Sequence, residues 1–488
     1  MEYLYFGVII FIFSLACYDL TAGVSTDAGN FLSAAVGSKA SKLKLVFAVA
    51  AVGILTGAIT SNGMMDIARH GILNPDYYYF NEVICIFLAV GVSDVILLDI
   101  FNTLGMPTSS TVSMVFELLG GSTALAIVKI MHDPALSYAD LINTDKALSI
   151  ILGIFLSVAI AFVFGLVVMW ITRTVFTFKY RNKSRWAVGI FGGVSITAIM
   201  YFLLVAGFGK SSFMTPEVRD MIETHKATIL WGCLAVFTVL SQILDAFKVN
   251  IFRVIVLFGT FALAMAFAGN DLVNFIGVPL AALSSYQYYL DAGAGDPSQF
   301  CVSRLHETAH TPIYFLIAAG AIMVFALIAS KKARKVINTS VSLSRQDAGE
   351  EIFSSSKIAR STVRNAMNLS NTVSGWVPAK VKNWVNRRFD SDDAVLPDGA
   401  AFDMVRAAVN LVLAGLLIII GTSLQLPLST TYVAFMVAMG SSLADRAWGR
   451  DTAVYRITGV ISVIGGWFIT AGAAFILCFC MSLFMFYV

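Results

Sequence analysis

Two Asp-x-x-Asn groups stand far apart in this chain. Asp27 and Asn30 lie in GVSTDAGNFLSAAVGSK, and Asp271 and Asn274 lie in FAGNDLVNFIGVPLAA. A spacing of three places both side chains of a group on one helix face. Carboxylate, amide and carbonyl oxygens are the ligands that hard cations prefer. Two more stretches match each other, GMPTSSTVSMVF from Gly105 and LQLPLSTTYVAFMV from Leu424. Each sets a proline ahead of a hydroxyl cluster and then an apolar run. The clusters are Ser109, Ser110 and Thr111, and Ser429, Thr430 and Thr431. Proline suits a helix start, and a Ser or Thr just after it can cap the first turn. A helix that begins there aims unpaired N–H groups and a positive dipole end at whatever lies ahead, which suits an anion. Two such tips, approaching from opposite sides, would enclose one oxyanion with hydroxyl and amide donors. Asp27 and Asp271 beside that anion require cations or protons. Backbone carbonyls from unwound segments at the two Asp groups would complete the cation sites. The plainer alternative is that each Asp caps a broken helix.

The elements that carry these groups must lie in a bilayer. Of the 488 residues, 58% are hydrophobic and 13% charged, and the mean hydropathy is +0.80. A soluble domain carries about 25% charged residues. Continuous apolar runs, each long enough for a ~30 Å hydrocarbon core, recur along the chain and exclude a β-barrel. They fall near 4–20, 43–61, 80–101, 111–131, 147–172, 187–208, 226–245, 251–285, 312–330, 403–424, 431–444 and 455–487. The expected fold is an all-α polytopic membrane protein with about 12 transmembrane segments, some of them broken or re-entrant. The N-terminal run lacks a basic leader and a small-x-small cleavage site, and reads as a retained first helix. The six cysteines follow no metal-ligand spacing and read as small buried hydrophobes.

Lys and Arg placement sets the orientation. Lys39, Lys42 and Lys44 make one short basic loop, and Arg173, Lys179, Arg181, Lys183 and Arg185 make another. The stretch HDPALSYADLINTDK and the loop after Tyr286 carry few positive charges. The loop with Lys210, Arg219 and Lys226 mixes them with acids. The N-terminus is then outside and the polar insert 331–400 cytoplasmic. Within that insert Val377, Val381, Trp384, Val385 and Phe389 recur at helical spacing among Lys380, Lys382, Arg387 and Arg388. This basic amphipathic helix suits either an anionic leaflet or the face of its own protein.

With that orientation, the helix leading to Asp27 runs inward and the helix leading to Asp271 runs outward. Two antiparallel copies with polar interruptions at matching positions point to a transport site near the midplane of an inverted repeat. Residues 1–208 hold the first repeat and 209–330 open the second. The insert 331–400 follows, and 401–488 complete the second repeat. Moving a dianion into a negative interior costs about 4.6 kcal/mol per 100 mV, twice the single-charge figure. Two accompanying cations cancel that cost, so a carrier has a use for the carboxylates that a passive pore lacks. A carboxylate at the bilayer centre itself costs about 2.5–3.5 kcal/mol. Asp94, Asp99 and Glu117 also fall in apolar runs, with no charged counterparts in the second half.

These four motifs, in this order, resemble the inorganic phosphate transporter (PiT) family of sodium- or proton-coupled carriers. The family pattern is Gly-Ala-Asn-Asp-x-x-Asn-Ala and Gly-Leu-Pro-x-Ser-Thr-Thr-His in each half. Here AGNDLVN fits the first pattern closely. VSTDAGN has Thr26 in place of Asn, Val112 and Tyr432 stand in place of His, and Val278 interrupts a Gly-Pro-Leu. The resemblance implies phosphate held by Asn30, Ser109, Ser110, Thr111, Asn270, Asn274, Ser429, Thr430 and Thr431. It implies Na⁺ near Asp27, Asp271, Asn30 and Asn274, with Na⁺ as coupling ion, no cofactor, and a homodimer. The expected activity is Na⁺-coupled import of inorganic phosphate by alternating access in a cell (inner) membrane, H⁺ being the other coupling ion. A sulfate or other oxyanion carrier of the same family, a passive anion channel and a membrane sensor are the alternatives. No nucleophile–base pair, metal triad or Gly-rich phosphate loop suggests an enzyme, and no nucleic-acid partner is expected.

Overall fold

A computed structural model describes residues 2–61, 65–105, 108–178, 185–203, 215–293, 295–307, 311–346, 356–376, 378–389, 399–424, 426–447 and 453–487, and among them helices joined by turns and short connections make up the fold, with two isolated β-bridges. The helices of the first half are α1 (Glu2–Gly37), α2 (Leu43–Thr60), α3 (Asp66–His70), α4 (Phe80–Leu104), α5 (Ser110–His132), α6 (Tyr138–Leu141) and α7 (Thr144–Val175). A hairpin of α8 (Arg185–Phe202), α9 (Pro216–Thr224) and α10 (Lys226–Ala246) follows. The second half holds α11 (Ile251–Asp291), α12 (Ile313–Ala329), α13 (Lys331–Leu343), α14 (Lys357–Trp376), α15 (Ala379–Arg388), α16 (Met404–Ser423), α17 (Thr430–Ala444) and α18 (Ala453–Tyr487).

Nine of these helices, among the described residues, are long and apolar enough to cross a membrane, or ten with the bent pair α12 and α13. The expected count of about 12 therefore counts segments that do not all span by length. The described part of α8 is short, and so is α17, because α17 begins inside the bundle rather than at its surface. Outward-facing Trp231, Val236, Val239 and Ile243 give α10 an apolar surface suited to lipid.

The helices α1 and α11 form the centre and run antiparallel. Tyr5 meets Tyr289, Gly23 abuts Phe275, and Phe31 packs on Phe267. The α11 partner falls in number as the α1 residue rises. Around this pair the contacts are reciprocal, two sets of them crossing between the halves and a third repeated within each half. Helix α2 packs along α11, while α12 and α13 pack along α1; α5 packs on α18, while α17 packs on α7; α4 packs on α1, while α16 packs on α11. This reciprocal packing fits the inverted repeat expected from the sequence. The equivalence pairs α1 with α11, α4 with α16 and α5 with α17.

Small residues let these helices approach closely, as membrane interfaces require. A side chain added at Gly57 would run into the Met265 backbone carbonyl. Backbone cannot yield as a side-chain tip can. The substitution Gly57→Val should therefore separate α2 from α11 and destabilise the protein by about 1–3 kcal/mol. Thermal unfolding in detergent measures the loss, and an unchanged transition would refute the close approach.

Residues 331–343 belong to the bundle rather than to a separate insert. Helix α13 turns 72° away from α12 and packs along α1, where Gly29 faces Val336 and Ser340. The described remainder of the insert is α14 and α15. Helix α15 is anchored at its end, where Phe389 stacks on Trp170 of α7 with centroids 6.3 Å apart. Its Val381 and Trp384 stay exposed.

Candidate substrate and cation site

The two Asp-x-x-Asn groups and the two hydroxyl clusters meet in one buried network at the crossing of α1 and α11. Thr431 donates to Asp27 Oδ1 at 2.6 Å, Asn30 donates to the same oxygen at 3.0 Å, and Ser110 donates to Asp27 Oδ2 at 3.2 Å. Asp271 Oδ1 accepts from Thr111 at 3.2 Å and from the Asn270 amide at 2.6 Å. Thr430 donates to Asp271 Oδ2. The second Asn of each group reaches across to the other repeat. Asn30 donates to Thr431 at 3.1 Å and more weakly to Thr430 at 3.5 Å. Asn274 donates to Ser110 at 3.1 Å and to Thr111 at 3.0 Å. Each tip thus serves both carboxylates, Ser110 and Thr111 from α5 and Thr430 and Thr431 from α17. All of these side chains are buried.

Ser109 and Ser429 have a different task. Ser109 accepts the Val112 N–H and Ser429 accepts the Tyr432 N–H, both at 3.2 Å, so each caps its helix. They fix the tips on which their neighbours stand. Tyr432, where the resemblance expects His, stacks on Trp467 of α18 with centroids 3.8 Å apart.

The expected unwinding at the Asp groups does not occur. Helix α1 is continuous from Glu2 to Gly37 and α11 from Ile251 to Asp291, with Pro279 inside it. At 41 residues, α11 is about 60 Å long, twice the hydrocarbon thickness. The physical reason is that the polar groups are satisfied by side chains from the neighbouring tips. The backbone ladder therefore has no need to open. The reading of each Asp as the cap of a broken helix falls with it. The breaks lie instead ahead of α5 and α17. There the Leu428 carbonyl accepts from the Asn270 amide at 2.7 Å.

Several partners escaped the sequence reading. Thr26 donates to the Asn102 side-chain carbonyl at 2.7 Å, and Thr422 donates to that of Asn270 at 3.2 Å. The signal that finds them is position: Asn102 and Thr422 each stand five residues before the motif proline. Of the unassigned acids, Asp99 pairs with Lys332 at 2.5 Å and accepts from Tyr18 at 2.9 Å at an exposed edge. Glu117 is buried and accepts from Ser113 at 3.0 Å. Asp19 and Asp94 are also buried.

Among the described residues no group of three or more His, Cys, Asp or Glu side chains gathers as a transition-metal site would need. Two carboxylates with amide and hydroxyl oxygens form a donor set for hard, weakly held cations.

This combination of an all-helical, multi-pass body with polar motifs from both halves buried at its centre defines a membrane transporter. Residues 24–340 match the model of the Phosphate transporter family, and the chain belongs to that family. The matched span includes both Asp groups and the first hydroxyl cluster, but not Ser429 to Thr431. A solved structure described as "The sodium-dependent phosphate transporter" is similar in fold, with a TM-score of 0.68 at 14% identity, covering 99% of this chain and 100% of that one. No curated protein sequence matches the chain.

Proposed function

We propose that the protein is a secondary symporter that imports inorganic phosphate with Na⁺ by alternating access. The observation that carries the reading is the sharing of donors. Ser110, Thr111, Thr430 and Thr431 sit on two helix tips and reach both Asp27 and Asp271. Among the described residues every hydrogen-bond donor to these carboxylates is neutral. Two buried carboxylates so placed are stable with cations or protons beside them. With Na⁺ at Asp27 and Asp271, the hydroxyls of the tips are released from the carboxylates toward an anion. Asn30, Asn270 and Asn274 then bridge the two. The tips add their first-turn N–H groups and dipoles.

The exchanged packing supports alternating access. Each tip belongs to one repeat and packs on the last long helix of the other, so a tilt of one repeat against the other opens one side and closes the opposite one. The fold neighbour is described as sodium-dependent, which favours Na⁺ over H⁺. Charge distribution favours the N-terminus outside and the insert helices α14 and α15 on the cytoplasmic side of a cell membrane. The family resemblance adds a homodimer.

The test is uptake of radiolabelled phosphate into proteoliposomes under imposed Na⁺ or H⁺ gradients, with sulfate as competitor. An inward Na⁺ gradient should drive accumulation that sulfate leaves intact. Uptake that follows only the pH gradient would reassign the coupling ion. Flux indifferent to both gradients would leave a channel.

A further inference from the structure

The two halves of the site are held by one interaction with its residues exchanged. In the first half the residue before Asp27 is Thr26, and it donates at 2.7 Å to the carbonyl of Asn102 on α4. In the second half the residue before Asp271 is Asn270, and its carbonyl accepts at 3.2 Å from Thr422 on α16. Helices α4 and α16 are equivalent in the repeat, and both partners stand five residues ahead of the motif proline. In both halves, then, a threonine hydroxyl donates to an asparagine side-chain carbonyl between the same two helices. The threonine is on the Asp helix in one half and on the helix before the break in the other.

The exchange has a consequence at the carboxylates. Asn270 keeps its amide free and gives it to Asp271 Oδ1 at 2.6 Å and to the Leu428 carbonyl at 2.7 Å. The amide of Asn102 goes instead to the Ala22 carbonyl at 2.8 Å, away from Asp27. Thr26 shares its one hydroxyl proton between the Asn102 carbonyl and the Ala22 carbonyl at 3.1 Å, as Thr422 shares its own with the Ile418 carbonyl at 3.0 Å, and offers Asp27 nothing. Asp27 takes its amide donor from Asn30, at 3.0 Å. Asn274 is spared that duty; among the described residues it donates to Ser110 and Thr111 alone, and its buried carbonyl oxygen has no hydrogen-bond partner.

We propose that Thr26–Asn102 and Asn270–Thr422 are the same clamp with swapped residues, and that the swap makes the cation half-sites at Asp27 and Asp271 unequal. The second part rests on the symport reading above. Asn102 and Thr422 are positioning residues, because they act through Thr26 and Asn270 and do not touch the carboxylates.

The experiment is a swap cycle in the full-length protein: Thr26→Asn, Asn102→Thr and the two together, each read by Na⁺-driven phosphate uptake and by thermal unfolding in detergent. Asn102→Thr, whose shorter side chain leaves Thr26 without the amide carbonyl it donates to, should cut uptake about tenfold, the worth of one buried hydrogen-bonded pair. Thr26→Asn crowds two amides into a buried gap and should lower the unfolding temperature as well. The double variant rebuilds the arrangement of the second half. It should recover both the unfolding temperature and the uptake to within about twofold of the natural protein, while its half-saturating Na⁺ concentration moves by at least about threefold, since Asp27 then has an amide neighbour. A double variant no better than its worse parent in unfolding temperature would overturn the clamp, whether or not the protein transports phosphate. Recovery with an unchanged Na⁺ dependence would overturn the inequality. Failure of the natural protein to use Na⁺ at all would tell against the symport reading, and the unfolding cycle would still decide the clamp.

Discussion

Asp271→Asn should abolish Na⁺-driven phosphate uptake while leaving the protein folded. The amide has nearly the carboxylate's shape, and the surrounding hydroxyls of Thr111 and Thr430 can donate or accept to suit it. What disappears is the negative charge that holds a cation in a buried place. Losing a charged partner there costs about 3 kcal/mol, so uptake should fall about 100-fold or more. Asp27→Asn should do the same, because Thr431, Asn30 and Ser110 surround it in the same manner. The unfolding temperature of both variants should stay at or above that of the natural protein, since an unpaired buried charge has been removed. Near-normal Na⁺-driven uptake by either variant would refute the cation role of its carboxylate.

The largest stability effect is expected at Arg173, near the end of α7. Its guanidinium is fully buried and makes paired hydrogen bonds to two carboxylates. It donates to Asp403 at 2.7 and 2.9 Å and to Asp445 at 2.6 and 2.7 Å. Asp403 also caps α16 through the Arg406 N–H at 3.0 Å, and Asp445 follows the last residue of α17. One side chain therefore ties α7 to the start of α16 and the end of α17. Arg173→Ala removes the forked donor from two buried acids, leaving Asp445 the Arg406 guanidinium at 3.8 Å, and should cost about 3–5 kcal/mol. Arg173→Lys keeps the charge but loses the planar fork, and should recover part of that loss. Thermal unfolding in detergent reads both. An Arg173→Ala transition within a degree or so of the natural one would show that the cluster carries no such weight.

Much of this molecule is legible from residue order, for physical reasons that particular positions make plain. A carboxylate in an apolar run is costly enough that Asp27 and Asp271 draw attention alone, and the repeated proline and hydroxyl pattern supplies their partners. The antiparallel register of α1 and α11 follows from charge placement, and Tyr5 against Tyr289 and Phe31 against Phe267 bear it out. What stays hidden is how distant positions satisfy one another. The unwinding expected at the Asp groups assumes that polar side chains must disrupt their own helix, whereas theirs are met by the tips of α5 and α17. Arg173 reads as one charge in a basic loop, because its carboxylates come 230 and 272 positions later. Ser109 and Ser429 look like their neighbours in sequence. Only the backbone geometry of the tips separates a capping serine from Ser110 or Thr430. The segment 331–343 looks polar enough for an insert, yet its Val336 and Ser340 lie against Gly29, a glycine within the first Asp group.

The most direct test is an experimental structure of the protein held in sodium phosphate. The account predicts tetrahedral density between the tips, bounded by Ser110 and Thr111 on one side and Thr430 and Thr431 on the other, with cation density against the carboxylates of Asp27 and Asp271. Phosphate bound elsewhere, or seated there with both carboxylates bare of any cation, would contradict it.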